Sequence, residues 1–318
     1  MSDRQLAPIA LFVYNRLDHL KQTVAALKQN HLASESDLIV YSDGAKNENA
    51  KAGVKAVREY LKTINGFRSV SIIERERNFG LARSIISGVT EVIERQGKII
   101  VLEDDLVTSP YFLEFMNQGL NMYQADHIVN SIHGYLYPFS GSRPESFFLK
   151  EIDCWGWATW ADRWKLFRAD GQALLKELKS KGLIKEFDLE YSYHFSLMLR
   201  EQVLGLNNSW AIRWYASSFL RDSLGLYPKY SLVRNIGCDA SGVHTGSLAV
   251  FDTEIYQEAI NLERQKIIED VNAKKNLVRF FRSPNRLLIF QLMRLKNELR
   301  LRIFVFKAKI CQMLGKKK

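Results

Sequence analysis

The sequence predicts an α/β fold: a mostly parallel sheet with helices on both faces, followed by a basic helical C-terminal extension. Strand and helix patterns alternate four times in the first half of the chain, and this order is typical of a parallel sheet covered by helices. The strand patterns are short continuous apolar runs, as expected of strands buried on both sides. In the last 45 residues, basic residues are interleaved with Phe, Leu and Ile, a pattern that interfacial helices use.

Each strand pattern in the first 125 residues is followed by a helical pattern. The predicted strands are residues 8–15, 37–43, 69–76 and 98–105. Asp18 is placed to cap the first helix, and Ser109-Pro110 to start the fourth with proline at its first position. After about residue 125 the alternation ends, and a further strand pattern at 127–139 precedes a stretch dense in aromatic residues.

Polar side chains lie at the carboxyl ends of three of the predicted strands, where ligands bind in such sheets. These residues are Asn15 and Arg16, then Asp43, then Glu103, Asp104 and Asp105. Adjacent carboxylates raise one another's pKa unless a cation lies between them. Mg²⁺ and Mn²⁺ prefer oxygen ligands and are held by a few carboxylates together with substrate phosphates. The acids therefore predict a metal–diphosphate site; the alternative is a solvated turn that caps the next helix.

Composition limits the classes of protein that this chain can represent. Its 318 residues, 47% of them hydrophobic, suit one large domain or one domain with an appendage. The three cysteines are far apart, so the sequence shows neither a disulfide framework nor metal-ligand spacing, which suits a reducing compartment. The apolar run near the N-terminus is interpreted as the first strand rather than a signal peptide.

The net charge of +10 is concentrated at the C-terminus. Residues 274–318 contain 14 Lys/Arg and one acid, whereas the rest of the chain has a charge of −3. We therefore predict a domain over 1–270 and a basic tail over 271–318. Its longest apolar runs are four residues, far short of the roughly 20 that span a bilayer. Docking on anionic lipid is the leading interpretation, beside a helical subdomain with a solvated basic face; no nucleic-acid partner is expected.

Several short motifs together resemble a known family. "VLEDDL" is similar to the Glu-Asp-Asp variant of the Asp-x-Asp metal motif in animal N-acetylglucosaminyltransferases of the hybrid N-glycan pathway. "ALFVYNR", "YSDG", "RNFGLARSIISGV", "WGWATW" and "SWAIRWYAS", in this order within residues 8–245, resemble bacterial sugar transferases of surface-polysaccharide assembly. The resemblance implies a GT-A fold, which is Rossmann-like, and transfer of a sugar from a nucleotide-diphosphate donor.

The resemblance also implies a role for each residue of the nucleotide site. Asp105 is implied as the metal ligand, with Asp104 and Glu103 contacting the ribose or metal-bound water. Asp43 is implied as the acceptor of a hydrogen bond from uracil. The residues implied to line the pocket for the nucleotide and its diphosphate are Asn15, Arg16, Asn78, Gly80 and Arg83. Asn78 and Gly80 also suit a turn and helix start, and Arg83 also suits a helix surface.

Two further parts of the resemblance concern aromatic residues and a histidine. Trp155 and Trp157 are implied to lie beside the donor sugar, because aromatic faces stack on sugars; a plain aromatic core is the alternative, and Trp160 is expected to be core only. His244 is implied as a ligand of the metal or diphosphate, with an ordinary surface-loop histidine as the alternative. His133 is expected to be structural.

The general base that an inverting transferase needs is absent from the position that related folds use. There, before a late helix, this chain has "NNS" at residues 207–209. Asp153 and Glu201 are the nearest candidates; otherwise the enzyme retains configuration and the leaving diphosphate accepts the proton. Arg213 is a candidate to neutralise the diphosphate or a charged acceptor.

The sequence therefore favours a cytoplasmic, peripheral-membrane glycosyltransferase. It would use Mn²⁺ or Mg²⁺ to move a hexose from a UDP-sugar to a lipid-linked glycan of lipopolysaccharide or capsule, at the anionic inner leaflet. A sugar-nucleotide pyrophosphorylase is an alternative, but it needs a Gly-rich phosphate loop with Lys or Arg after the first strand, which "YNRLDHLKQ" lacks. The second alternative is a non-catalytic membrane or nucleic-acid adaptor built on a transferase fold.

Overall fold

A computed structural model describes residues 6–237 and 249–315. The strands are β1 (Ile9–Val13), β2 (Asp37–Ser42), β3 (Ser69–Glu74), β4 (Lys98–Glu103), β5 (Leu106–Thr108), β6 (Val129–His133), β7 (Ser146–Leu149), β8 (Trp157–Trp160), β9 (Leu224–Pro228) and β10 (Val233–Asn235). The helices are α1 (Leu17–Lys28), α2 (Glu48–Leu61), α3 (Leu81–Gln96), α4 (Phe112–Met122), α5 (Ala161–Trp164), α6 (Gly171–Ser180), α7 (Ile184–Phe187), α8 (Phe195–Val203), α9 (Trp210–Phe219), α10 (Val271–Arg282) and α11 (Pro284–Gly315).

Eight of these strands form one sheet in the order β3-β2-β1-β4-β8-β6-β9-β7. β1 is parallel to β2 and β4, β2 to β3, and β6 to β9. β8 runs antiparallel between β4 and β6, and β7 is antiparallel to β9. The carboxyl ends of the parallel strands therefore lie at one edge, together with the start of β8. This mostly parallel sheet confirms the predicted fold class.

The sheet separates two hydrophobic cores because successive side chains of a strand point to opposite faces. In β1, Ala10 and Phe12 belong to one core, and Ile9, Leu11 and Val13 to the other. The buried side chains of α3 and α9 cover the first face, and those of α1 and α4 cover the second. The predicted helices on both faces are thus present.

Two details at the helix starts differ from the expectation. α1 begins after Arg16 without a side-chain cap, and Asp18 lies within its first turn. There the carboxylate favours the helix through its dipole rather than through a capping bond. α4 begins at Phe112, two residues after Pro110, so the proline precedes the helix instead of occupying its first position.

The C-terminal helices divide into a buried and an exposed part. α10 packs against the core through Ala273, Leu277 and Phe281, each fully buried, whereas much of α11 is exposed. The division of the chain after residue 270 remains a prediction. α10, which lies after that point, packs against the core of the preceding domain. Among the described residues, none of the helices combines the length and apolarity needed to cross a membrane.

Candidate metal and nucleotide site

The predicted acid cluster lies where β4 ends, beside the end of β1. Arg16 lies between the two aspartates: its Nη2 donates to Asp105 Oδ2 at 2.7 Å and also to Asp104 Oδ1. The backbone N–H of Tyr14 donates to Asp104 Oδ2 at 3.2 Å, and the Thr23 hydroxyl donates to the Asp104 carbonyl at 2.9 Å. Both aspartates are buried. The parallel pairing of β1 with β4 thus brings residues about 90 positions apart into one charged cluster.

The charges in this cluster perturb one another. Burial raises the pKa of Asp104, although the Arg16 charge opposes the shift. Burial, then the charges of Asp105 and Asp104, raise the pKa of Glu103 well above its ordinary value. Burial lowers the pKa of Arg16, but the two aspartates outweigh that effect and raise it. Even without Glu103, whose charged form burial disfavours, two aspartates face one guanidinium, so the site has an excess of negative charge that would stabilise a further cation.

The donor set fits a divalent metal held jointly with a diphosphate. Carboxylate oxygens are the ligands that Mg²⁺ and Mn²⁺ prefer, and the Arg16 guanidinium already stands in for a cation between Asp104 and Asp105. Within the described residues, no three His, Cys, Asp or Glu side chains come together as a metal cage. Asp105, aided by Asp104, would therefore share the ion with substrate phosphates.

A short strand that the sequence did not reveal closes this side of the site. β10 pairs antiparallel with β5, and the Ile236 N–H donates to the Asp105 carbonyl at 2.9 Å. A Cβ at Gly237 would lie 2.1 Å from Asp105 Oδ2 and 2.8 Å from Arg16 Nη1. Any other residue at this position would therefore force the Asp105 and Arg16 side chains to move. His244 follows seven residues later and lies outside the described residues, so its role stays a prediction.

Asp43 organises the loop that was predicted to contact the base. Its carboxylate accepts hydrogen bonds from Asn78 Nδ2 at 3.0 Å and from the N–H groups of Phe79 and Gly80 at 2.8 and 2.9 Å. The N–H of Gly44 also donates to it, at 2.9 Å. Asp43 thus joins the end of β2 to the start of α3. Its predicted contact with uracil, and those of Asn78 and Gly80 with the nucleotide, remain predictions.

The remaining predicted pocket residues lie at the same edge of the sheet. Asn15 follows β1 and lies against Gly53 of α2. A Cβ added at Gly53 would be only 3.0 Å from the Asn15 Cβ. Arg83 is exposed on the first turn of α3, with its guanidinium 4.3 Å from the ring centre of Phe79. Arg75 lies over the same ring at 4.9 Å. Arg75 also pairs with Glu91, Nη2 to Oε2 at 3.8 Å, so the exposed Arg83 is the better placed of the two to pair with an anionic ligand.

Asp153 belongs to a buried acid pair next to the cluster. Its Oδ1 accepts from the Trp155 N–H at 2.7 Å, and Glu151 accepts from the Tyr227 hydroxyl at 3.0 Å. Burial raises the pKa of both acids, and the Asp153 charge raises that of Glu151 further. After burial and the two nearer aspartates, Asp153 also raises the pKa of Glu103. Glu151 was not among the site residues predicted from the sequence. The alternation in "KEIDCW" nevertheless places it on the same side of the chain as Asp153.

The other two candidate catalytic residues lie in the helical half of the chain. Glu201 is buried on α8. Burial raises its pKa, and the charge of Arg300 opposes that rise. Arg213 is buried on α9, and its guanidinium donates to the carbonyls of Ser209 and Ala169 at 3.1 and 3.3 Å. Among the described contacts, neither side chain is joined to the acids at the end of β4. The structure therefore favours Asp153 over Glu201 as the acid nearest the predicted chemistry.

The two predicted sugar-binding tryptophans have different environments. Trp155 is half-buried, edge-on to Tyr135 with ring centres 4.6 Å apart. Trp157 is fully buried and stacks on Trp210 at 5.4 Å. The expectation that Trp157 contacts a sugar is wrong, because neither ring face is accessible. Trp160 is buried in the core, as expected.

The fold and this site define an α/β protein with a buried cluster of acids, and an arginine between two of them, at the carboxyl edge of its sheet. Residues 9–180, more than half of the chain, match the model of Glycosyl transferase family 2. The chain belongs to this family and is a GT-A nucleotide-sugar glycosyltransferase. Nucleotide-sugar donors and divalent metals are what such enzymes use.

Similar solved structures are distant. The mannosyltransferase PcManGT from Pyrobaculum calidifontis, in complex with GDP-Man and Mn²⁺, is 11% identical over 68% of this chain and 75% of its own, with a TM-score of 0.37. S. aureus TarS is 12% identical over 44% of this chain and 24% of its own, with a TM-score of 0.29. A UDP-glucose pyrophosphorylase complexed with UDP-glucose is 11% identical over 71% and 91%, with a TM-score of 0.38. A search of curated proteins found no match.

Proposed function

We propose that this protein uses Mn²⁺ or Mg²⁺ to transfer a hexose from a UDP-sugar to a lipid-linked glycan of bacterial lipopolysaccharide or capsule. The observation that carries the proposal is the cluster of Arg16, Asp104 and Asp105 at the carboxyl edge of the sheet. In a member of this glycosyltransferase family, such a cluster is suited to a metal and a diphosphate. The order of motifs in the sequence supports the polysaccharide pathway.

The proposed roles follow from where each side chain lies. Asp105 would hold the metal, which when bound neutralises charge on the leaving diphosphate. Arg16 and Arg83 would bind phosphate oxygens, for which guanidinium groups are suited. Asp43 would fix the loop that contacts the base, because its two oxygens already accept four hydrogen bonds from that loop and from Gly44. Trp155 would lie beside the transferred sugar.

Asp153 is the proposed general base for the acceptor hydroxyl. It is buried next to the acid cluster, and its pKa is raised by burial to about 6. A carboxylate with a pKa near neutrality is a better proton acceptor than an ordinary aspartate and is still ionised at pH 7. This role implies inversion of configuration at the transferred sugar.

Release of UDP from a panel of UDP-sugars tests the proposal. The purified protein would be assayed with Mn²⁺, with Mg²⁺ and with EDTA, alongside Asp105→Asn. We expect one UDP-sugar to be turned over in a metal-dependent manner and the variant to lose at least about 100-fold in rate, because it removes the charge that holds the metal. No turnover of any UDP-sugar by the wild type, with no UDP binding, would contradict the UDP-dependent function.

We further propose that α11 docks this enzyme on an anionic membrane surface, at the inner face of the cytoplasmic membrane. One face of the helix carries a row of exposed apolar side chains, each 46–64% exposed. They are Leu288, Leu292, Leu295, Leu299, Ile303 and Phe306. The spacing of three and four residues places them on a single side of the helix. Phe290 and Leu301 are buried against the protein instead, so the two sets of side chains have different partners.

Charge decides which occupant this apolar row fits. Lys296 and Arg302 are exposed and each lies three residues from Leu299, directly beside the row. Residues 284–315 contain seven Lys/Arg and one acid, a charge of +6, so pairing two copies of this helix would bring like charges together. Anionic lipid accepts both the apolar side chains and the basic residues that flank them. A lipid-linked acceptor would be presented on the same surface.

Sedimentation with lipid vesicles tests this docking. We expect the wild type to bind vesicles of phosphatidylcholine with phosphatidylglycerol, to bind pure phosphatidylcholine much less, and to dissociate as salt is raised. Leu292→Gln combined with Leu299→Gln should weaken binding about tenfold or more, because two apolar side chains leave the lipid. Ile128→Gln, which changes an exposed apolar side chain outside α11, is the control. Equal binding by the double variant and the wild type would contradict the assignment.

A further inference from the structure

Arg16 lies where a cation is expected between the two aspartates. We propose that Arg16 is a built-in counter-ion that competes with the divalent metal for Asp105, so that the metal binds firmly only together with a nucleoside diphosphate. This inference rests on the proposed function, because it concerns the regulation of the same site. In place of a preformed metal site, the protein would have one that the donor substrate completes.

The first step of the argument is the shared oxygen. Arg16 Nη2 is 2.7 Å from Asp105 Oδ2, and the same nitrogen donates to Asp104 Oδ1. A metal bound directly by Asp105 would therefore lie within a few ångströms of a guanidinium, and two cations at that separation repel strongly in a buried site. Firm metal binding thus requires the guanidinium to move away from this oxygen.

The second step is that Arg16 has a donor ready for another partner. Its Nη1 atom is buried and, within the described residues, makes no hydrogen bond. An unpaired buried donor is unfavourable, and guanidinium groups match phosphate oxygens with two parallel bonds. Gly237 leaves the space beside Nη1 free of a side chain, since a Cβ there would be only 2.8 Å away. A diphosphate arriving at this edge offers Arg16 a partner that competes with Asp105.

Titration of Mn²⁺ alone, with free ion followed by electron paramagnetic resonance, tests the competition. The proteins are the wild type, Arg16→Gln and Arg16→Lys, each checked for an unchanged thermal unfolding transition. We expect Arg16→Gln to bind Mn²⁺ without nucleotide about tenfold or more tightly than the wild type, since a positive charge next to the ion is removed. Arg16→Lys, which keeps that charge, should bind Mn²⁺ as weakly as the wild type.

The wild type also provides a test that needs no variant. Adding UDP should raise its Mn²⁺ affinity about tenfold or more, because the diphosphate draws Arg16 from Asp105 and adds oxygen ligands. The inference is overturned if UDP leaves Mn²⁺ affinity unchanged, or if Arg16→Gln binds Mn²⁺ alone no better than the wild type. If Arg16→Gln binds Mn²⁺ alone no better than the wild type but UDP still raises the Mn²⁺ affinity of the wild type, the proposed function stands. Absence of Mn²⁺ binding even with UDP would overturn both.

Discussion

Asp153 is the residue on which the proposed chemistry most depends. We expect Asp153→Asn to lower sugar transfer about 100-fold or more, because a positioned general base contributes about 10²–10⁴ to the rate. Metal-dependent UDP binding should be retained. Since burial raises the pKa of Asp153 to about 6, and a base must be deprotonated to act, wild-type transfer should decline as the pH falls through that value. A pH profile of turnover at saturating donor, recorded for the wild type and Asp153→Asn, measures the loss of rate in the variant and the decline of the wild-type rate at low pH.

Glu201→Gln is the matched control for that substitution. It makes the same chemical change in a buried acid on α8, where the described contacts do not reach the cluster at the end of β4. We expect its turnover and pH profile to follow those of the wild type. If Glu201→Gln abolished transfer while Asp153→Asn retained it, the two acids would exchange their assigned places in the mechanism.

Trp155 and Trp157 form a second residue-level comparison. Trp157→Ala should lower the free energy of unfolding by about 3–5 kcal/mol, because it leaves a large cavity in a closely packed aromatic core. Trp155→Ala removes a half-buried ring and should instead change the KM for donor or acceptor. Urea unfolding and steady-state kinetics on both variants measure the two effects. A larger loss of stability from Trp155→Ala would contradict these placements.

Individual residues differ in how far the sequence predicts them. Asp104 and Asp105 could be placed at the sheet edge because they follow an unbroken apolar run. The contact of Arg16 with both could not be predicted, since it depends on the register between β1 and β4. Trp157 was misplaced because β8 begins only at that residue, and pattern alone does not tell which tryptophan enters the core.

At the scale of elements, the ribbon of β5 and β10 should control the site through Gly237. We expect Gly237→Ala to weaken metal-dependent UDP binding about tenfold or more, because its Cβ would collide with Asp105 and Arg16 and displace the charged groups. The large sheet does not include this ribbon, so the variant should still fold. Calorimetric titration with UDP and Mn²⁺ provides the readout.

Gly182→Ala supplies the control for that experiment. Its φ of +69° strains any other residue, but its Cβ would meet no atom within 4 Å. The substitution should therefore reduce stability without altering UDP binding. Equal losses of UDP affinity in both variants would mean that general destabilisation, rather than crowding of the acids, explains the Gly237 result.

Elements with strong apolar runs were predicted well, and short ones were not. β1 to β4 lie within a few residues of their predicted ranges, and a helix follows each of them along the chain as predicted. β5 and β10 have three residues each, too few for a periodic pattern. Their pairing joins segments more than 100 positions apart, and local sequence carries no signal for such a partner.

At the scale of the whole molecule, His133 should make folding stability depend on pH. Burial lowers its pKa to about 3, from an ordinary value of 6.5. Between these values the unfolded chain binds a proton that the folded chain does not, so this residue contributes about 1.4 kcal/mol less stability for each unit of falling pH. The raised pKa values of Glu151 and Asp153 act in the opposite direction.

The contribution of His133 is therefore measured as a difference. His133→Phe keeps the stacking on Tyr227 and removes the titration. Free energies of unfolding from denaturant curves between pH 7 and pH 5 should show the wild type losing stability relative to the variant as the pH falls. A constant difference across that range would mean that the pKa of His133 is the same in the folded and the unfolded protein, which contradicts the lowering by burial.

The sequence sufficed for the class of the whole fold but not for the order of its strands. Alternating patterns indicate a parallel sheet, yet the insertion of antiparallel β8 between β4 and β6 depends on how the aromatic stretch packs. The apolar row of α11 also needed the structure, because exposure separates Leu292 and Leu299 from buried Phe290 and Leu301. The sequence alone shows only that apolar and basic residues are mixed there.

The central claim is that the acids at the end of β4 form a metal-dependent nucleotide site. Calorimetric titration of UDP into the wild type and Asp105→Asn, each with Mn²⁺ and with EDTA, tests it most directly. The account predicts that the wild type binds UDP about tenfold or more tightly with Mn²⁺ than with EDTA, and that Asp105→Asn loses this difference. UDP binding that is equally tight in EDTA and unaffected by Asp105→Asn would contradict the account.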